Sequence, residues 1–225
     1  MARAGIQVTG EGGNLQIDDT FFNYRLVSQG AKSLAAFSFN DNAIPAGNTV
    51  SYSGINPIIM FKTSSIYVAI ASKEVSGSTH TWTLASDAAG ICNYVIFDTA
   101  PPVGGNSGLQ LFNESGTLVF DSSSQLLRIS GVVSGASATM PAGRTYASSL
   151  NHTLLGFADY TGPGGVEWTE LVGSSINVSG NVISRDAETL QIIPEFSGNF
   201  ASQDQFYSDA TTTALRFVVA DITGY

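Results

Sequence analysis

Apolar and polar residues alternate along much of this chain with the two-residue period of a β-strand. In Thr79-His80-Thr81-Trp82-Thr83-Leu84, His80, Trp82 and Leu84 share one face and the threonines share the other. Leu15 and Ile17 alternate in the same way with Asn14, Gln16 and Asp18. The pattern predicts strands at 33–39, 47–53, 57–63, 65–72, 78–86 and 91–98, and then near 126–131, 143–149, 152–159, 166–173, 181–184, 188–193 and 214–221. Turns at Glu11-Gly12-Gly13-Asn14 and Asn113-Glu114-Ser115-Gly116 add two hairpins, 5–9 with 14–18 and 108–112 with 117–121, glycine supplying the positive φ such turns need. Helix signals are nearly absent, and only residues 208–214 suit a turn of helix. Short, regularly spaced strands with Gly-rich turns predict an all-β fold.

The pattern also repeats. Residues 5–27, GIQVTGEGGNLQIDDTFFNYRLV, align without a gap on 108–130, GLQLFNESGTLVFDSSSQLLRIS, at an offset of 103. Gly5/Gly108, Gln7/Gln110, Glu11/Glu114, Gly13/Gly116, Leu15/Leu118, Asp18/Asp121 and Arg25/Arg128 are identical. A second anchor, Ile44-Pro45-Ala46-Gly47-Asn48-Thr49 against Met140-Pro141-Ala142-Gly143-Arg144-Thr145, has an offset of 96, so the second copy is shorter by 103 − 96 = 7 residues, most simply from a loop. Each half ends in an apolar run closed by an aspartate, Tyr94–Asp98 and Phe217–Asp221. The expected organisation is two tandem antiparallel β-sandwich domains, 1–102 and 103–225, joined by the Pro- and Gly-rich stretch 99–107. A single large sandwich with two similar hairpins is the alternative.

Composition narrows the function. Only 12% of the 225 residues are charged, about half the usual ~25%, while 43% are hydrophobic, enough for a packed core. The net charge is −9 and the Lys and Arg residues are scattered, which argues against nucleic-acid binding and against adsorption to anionic membranes. No apolar run approaches a bilayer span of about 20 residues, so no membrane insertion is expected. The start, Met1-Ala2-Arg3-Ala4-Gly5, lacks an apolar signal-peptide core, and Cys92 is the lone cysteine. Both features suit synthesis and assembly in a cytoplasm. The charge divides unevenly: 1–102 carries seven acids and five bases, 7 − 5 giving −2, and 103–225 eleven acids and four bases, 11 − 4 giving −7.

Candidate chemistry is sparse. His80 lies on an alternating strand and reads as a packed or edge histidine, and His152 follows Asn151 at a turn. Neither has a Ser-His-Asp arrangement or carboxylates at zinc-ligand spacing, so no catalytic residue, metal or cofactor is expected. Asp18-Asp19 is too sparse for calcium, and Cys92 reads as a small buried apolar residue. Asp18 with Arg25, and Asp121 with Arg128, stand seven apart in both copies and predict a structural clasp in which the arginine fork takes the carboxylate. Glu167-Trp168-Thr169-Glu170 follows the loop Tyr160-Thr161-Gly162-Pro163-Gly164-Gly165, and a tryptophan beside acids could stack on a sugar ring or simply fill a core. Residues 195–207 lack alternation but carry aromatics, among them Phe200, Phe206 and Tyr207; they suit either partner contact or an Ω-loop capping its own core.

Gly108-Leu109-Gln110-Leu111-Phe112-Asn113 followed by Gly116-Thr117-Leu118-Val119-Phe120-Asp121-Ser122-Ser123, with Tyr94-Val95-Ile96-Phe97-Asp98 before it, resembles a module of siphophage tail proteins in lambda-like phages. The strong resemblance covers about thirty residues, with a weaker echo over 5–27, where Asp18-Asp19-Thr20 and Thr9-Gly10 depart from the pattern. It implies a structural component of the virion, at the tail tip or in a tail fibre, assembled in the host cytoplasm and supporting host adsorption. The implied partners are other tail proteins and further copies of the chain, a trimer in the tail context, with a host surface glycan or protein as receptor. In that setting the near-neutral first domain is the better candidate for docking into the virion. A carbohydrate-binding receptor module is the alternative, with Tyr160, Glu167, Trp168, Phe200, Phe206 and Tyr207 as contact residues.

Overall fold

Runs such as Ile58-Ile59-Met60-Phe61 and Tyr94-Val95-Ile96-Phe97 have no polar face, because the strands that carry them are covered on both sides. In β8 (Gly90–Asp98), Cys92, Tyr94 and Ile96 belong to one apolar cluster and Val95 and Phe97 to another. The computed structural model describes residues 8–9, 15–17, 22–39, 42–105, 107–150, 155–161, 167–194 and 217–225. Over these the chain is all-β and mainly one large antiparallel sheet of 13 strands.

The first half contributes β1 (Val8–Thr9), β2 (Leu15–Ile17), β3 (Arg25–Phe39), β4 (Asn42–Ser53), β5 (Ile58–Phe61), β6 (Val68–Ser76), β7 (Thr79–Ser86) and β8. The second contributes β9 (Gln110–Phe112), β10 (Leu118–Asp121), β11 (Ile129–Val133), β12 (Ser137–Thr139), β13 (Tyr146–Leu150), β14 (Leu155–Thr161), β15 (Glu167–Ser179), β16 (Val182–Pro194) and β17 (Phe217–Asp221). The expected strands are present, several with other bounds: β4 begins at Asn42 rather than 47, and β15 runs to Ser179 rather than 173. β3 begins at Arg25 rather than 33, because Ser28-Gln29-Gly30-Ala31-Lys32 pairs through its backbone with β8 despite its polarity. The strands expected at 181–184 and 188–193 are one, β16, and β12 was not expected. The helical turn expected at 208–214 lies outside the described residues.

Parts of the repeat recur in the pairing. In the first hairpin Val8 faces Ile17 and Thr9 faces Leu15; at offset 103, Leu111 faces Phe120 and Phe112 faces Leu118. The β3–β8 ladder pairs Leu26 with Phe97 and slips before Ser28↔Ile96, while β11–β17 pairs Ile129 with Ala220 and slips before Gly131↔Val219. A bulge therefore sits at the same place in both halves. The β6–β7 and β15–β16 hairpins turn at Gly77 and Gly180, with φ of 60° and 62°, where a Cβ would be strained. The second anchor is not reproduced: Ile44–Thr49 lies within β4, Met140–Thr145 follows β12, and β12 takes on β16 the place that Ser51–Ser53 takes on β7. β11 and β12 are short, whereas β3 and β4 run on and pair from Ala35↔Gly47 to Phe39↔Asn42.

Strand pairing does not stop between the halves. Phe61 pairs with Ser148 and Val68 with Ile176, and Leu127 N donates to Tyr24 O at 2.8 Å, these two residues being repeat counterparts. The order β11-β17-β13-β5-β8-β3 reads the same from either end once each strand is replaced by its counterpart, as a two-fold relation between β5 and β13 produces.

Three buried clusters follow from this order. Leu34, Val50, Ile59, Phe61, Trp82 and Leu84 pack inside the first half, and Tyr146, Ile176, Ile183, Phe217 and Val219 inside the second. The third joins both, with Met60, Val95 and Phe97 against Ala147, Ala220 and Ile222. Because the third cluster couples the halves, Phe97→Ala should lower the stability of the whole chain by about 3–5 kcal/mol, the range for a buried Phe truncation. Urea unfolding followed by tryptophan fluorescence and circular dichroism should show one shifted transition, and two separate transitions would contradict the coupling.

Candidate functional site

Three strands end in a buried aspartate: Asp98 on β8, Asp121 on β10 and Asp221 on β17, at 0%, 0% and 3% exposure. A carboxylate taken out of water needs donors, and each finds them in the loop that follows or faces it. Asp98 accepts from the amides of Ile55, Asn56 and Thr99 at 3.0, 2.8 and 2.7 Å. The backbone comes this close because residue 54 is glycine; a Cβ there would strike the Asp98 carboxylate and the Tyr52 ring.

Asp121 accepts from Ser123 Oγ at 2.5 Å, the Gly105 amide at 2.8 Å, Gln110 Nε2 at 2.8 Å and the Ser123 amide at 2.7 Å. The Ser123 hydroxyl, then the Gly105 amide and Gln110, hold its carboxyl well below the usual carboxylate range. Burial alone would raise the Asp221 carboxyl, but the Thr223 hydroxyl and amide, with Arg144 and the charge of Arg128, outweigh it and hold it down to about 2.

The arginines that face the two half-ending aspartates do the same work in each copy. Arg25 stands opposite Asp98 in the ladder, and its Nε and Nη2 donate to the carbonyls of Ala100 and Pro101 at 3.1 and 2.9 Å. Arg128 donates to the carbonyls of Asp221 and Thr223 at 3.3 and 2.6 Å, and its Nη2 lies 3.8 Å from the Asp221 carboxylate. Arg144 completes that end with a direct bond to Asp221, and the Arg128 guanidinium lies over the Tyr225 ring at 4.7 Å.

These partners correct one expectation. Asp121 and Arg128 do not clasp each other; the carboxylate is saturated by its own turn and by Gly105, and the guanidinium reaches the end of β17 instead. Asp18 lies outside the described residues, and the described bonds of Arg25 go to the end of β8. Asp98, Asp221 and Arg144 were missed as site residues, although the apolar run closed by aspartate in each half carried the signal.

Of the expected contact residues, Tyr160, Glu167 and Trp168 are brought together by one hairpin, with Tyr160 opposite Trp168 and Thr161 opposite Glu167 in the β14–β15 ladder. Phe200, Phe206 and Tyr207 lie outside the described residues, as does His152. His80 is buried and stacked on Trp82 at 6.2 Å, with Lys73 Nζ 5.7 Å from the Trp82 ring centre. Burial pushes the Cys92 thiol up to about 12. Among the described residues no group of His, Cys, Asp and Glu is placed to hold a metal ion, and no helix is long and apolar enough to cross a membrane. Comparison with known proteins found no match among family models, curated proteins or solved structures.

Two outcomes follow from the aspartates. Asp98→Ala should cost about 3 kcal/mol in chemical denaturation, because it orphans amides that the fold keeps from water; a loss under about 0.5 kcal/mol would show that water replaces the carboxylate. Asp221 is held below its ordinary value of 3.8, so its contribution is fully present above about pH 4 and fades as pH falls towards about 2. Arg144→Gln should weaken that part of the acid unfolding profile while leaving the profile above pH 5 unchanged in shape.

Proposed function

We propose that this protein is a non-enzymatic structural component of a bacteriophage tail, at the tip or in a fibre, made in the host cytoplasm and working as a homo-oligomer among other tail proteins. One observation carries this reading: the polar residues of the tail-protein-like segment 108–123 are spent on the fold. Asp121 and Gln110 tie the hairpin to Gly105, Ser122 Oγ accepts from the Leu109 amide at 2.9 Å, and Asn113 Oδ1 accepts from the Ser115 and Thr117 amides at 3.1 and 2.8 Å. Gly108 has φ of 103°, and a Cβ there would strike Ser122 Oγ. Such a segment specifies a shape that can be built into an assembly.

In the same reading, 1–102 and 103–225 are two tandem β-sandwich domains descended from one duplicated unit and fused where β5 meets β13 and β6 meets β15, with the near-neutral first domain docking into the particle. The test is location. Antibody raised against the purified protein should label the tails of phage particles in electron micrographs, and particles that carry no label while the lysate contains the free protein would overturn it.

The β14–β15 register supports a second reading, a receptor module that binds host glycan, since it sets an aromatic pair and an acid at one hairpin tip. Trp168→Ala should then reduce binding on a glycan array at least tenfold with an unchanged circular dichroism spectrum. Equal binding by the two proteins would remove this reading and leave the structural one.

A further inference from the structure

The two ends of the molecule are finished differently. In the first half the strand order turns over through β3 and β4, whose backbones pair from Ala35↔Gly47 to Phe39↔Asn42. In the second half the corresponding strands, β11 and β12, do not pair with each other. Among the described residues β11 pairs with β17 alone and β12 with β16 alone, and these two strands are the ends of the whole strand order. Among the described residues, both ends of the strand order are thus open at one place, with three residues between β11 and β12.

That end is apolar and carries little to deter pairing. Ile129, Val132 and Val182 are 60%, 57% and 40% exposed, and the residues between the first two, Ser130 and Gly131, are uncharged. Open edges are normally blunted with charge or proline, and β11 and β12 hold neither. The chain itself shows how such an edge is satisfied, because its halves join by antiparallel pairing of counterpart strands, β5 with β13 at Phe61↔Ser148.

We infer that the open end is the interface with a second copy of this chain, β11 pairing antiparallel with β11 of that copy about a two-fold axis. Pairing of β11 with its own copy about a two-fold axis is isologous, so it gives a closed pair rather than a filament. The predicted copy number for this contact is two, not the three that a tail trimer implies. The inference rests on strand order and exposure, independently of the tail reading, and the experiment below uses purified protein and leaves that reading untouched.

The test is cysteine cross-linking of the full chain. The native Cys92 is buried, so an introduced thiol reports alone. Under mild copper-phenanthroline oxidation, Val132→Cys should give a disulfide-linked species of twice 23.5 kDa. Val103→Cys, at an apolar position that is 85% exposed and off the edge, should give at least tenfold less. Light scattering of the unmodified protein should show a dimer, and Val132→Glu should shift it to monomer with an unchanged circular dichroism spectrum. In hydrogen exchange, the β11 amides should gain protection as protein concentration rises. A monomer at all concentrations, a trimer, equal cross-linking at 103 and 132, or β11 amides protected in dilute monomer because another segment of the chain covers them would each overturn the inference.

Discussion

A carboxylate buried at the end of a strand is the constraint on which much of this architecture rests. Asp98, Asp121 and Asp221 each close an apolar run, and none can be left without donors in a low-dielectric interior. The surrounding chain is shaped to supply them. The turn after β4 delivers the amides of Ile55 and Asn56 to Asp98, with glycine at 54 because any side chain would occupy the carboxylate's place. Gly105 in the segment between the halves is drawn to Asp121, and Arg25 draws in Ala100 and Pro101 of the same segment. A stretch with a linker's composition is consequently held at both of its ends by side chains of the sheet and the hairpin.

The second organising feature is that the strands nearest the seam are buried on both faces. β8 sends Ile96 into the first half's own core and Val95 and Phe97 into the cluster shared with Ala147 and Ala220. Backbone pairing at Phe61↔Ser148 adjoins Met60 and Ala147 of that cluster, and Val68↔Ile176 joins the two private cores, so ladder hydrogen bonds and apolar burial act on the same boundary. Each half has a private core, and the cluster between them is what makes a separate equilibrium for either half costly.

What could be read from the sequence follows the range of each interaction. The alternation of His80, Trp82 and Leu84 and the glycine turns are local, and they gave the strands. The offset-103 match gave the paired hairpins with their registers. The arginine clasp was misread for a physical reason: seven-residue spacing places Asp121 and Arg128 near each other in sequence, but the ladder brings Arg128 to a strand 93 residues later. The extended β3 was partly hidden, since Ser28–Lys32 joins the sheet through backbone groups that leave no hydrophobic trace. The pairing of the halves was hidden for the same reason. The pairing of Tyr160 with Trp168, by contrast, joins two strand-like runs that flank the Gly- and Pro-rich residues 161–165.

The lost residues tie the two ends of the molecule together. A drop in repeat offset from 103 to 96 between the hairpin and the Pro-Ala-Gly anchor first suggests a trimmed loop, with no consequence for the sheet. The pairing says otherwise. By strand pairing β12 stands where Ser51–Ser53 does, so the second half lacks a counterpart of the β3–β4 ladder that closes the first, and β11 and β12 are edges among the described residues. Edges cost a protein unless they are blunted or used, and here they carry exposed Ile129 and Val132 in a chain with about half the usual charge. The two halves thus differ most where, among the described residues, the first closes the sheet and the second leaves it open, which is where the proposed second copy would be met.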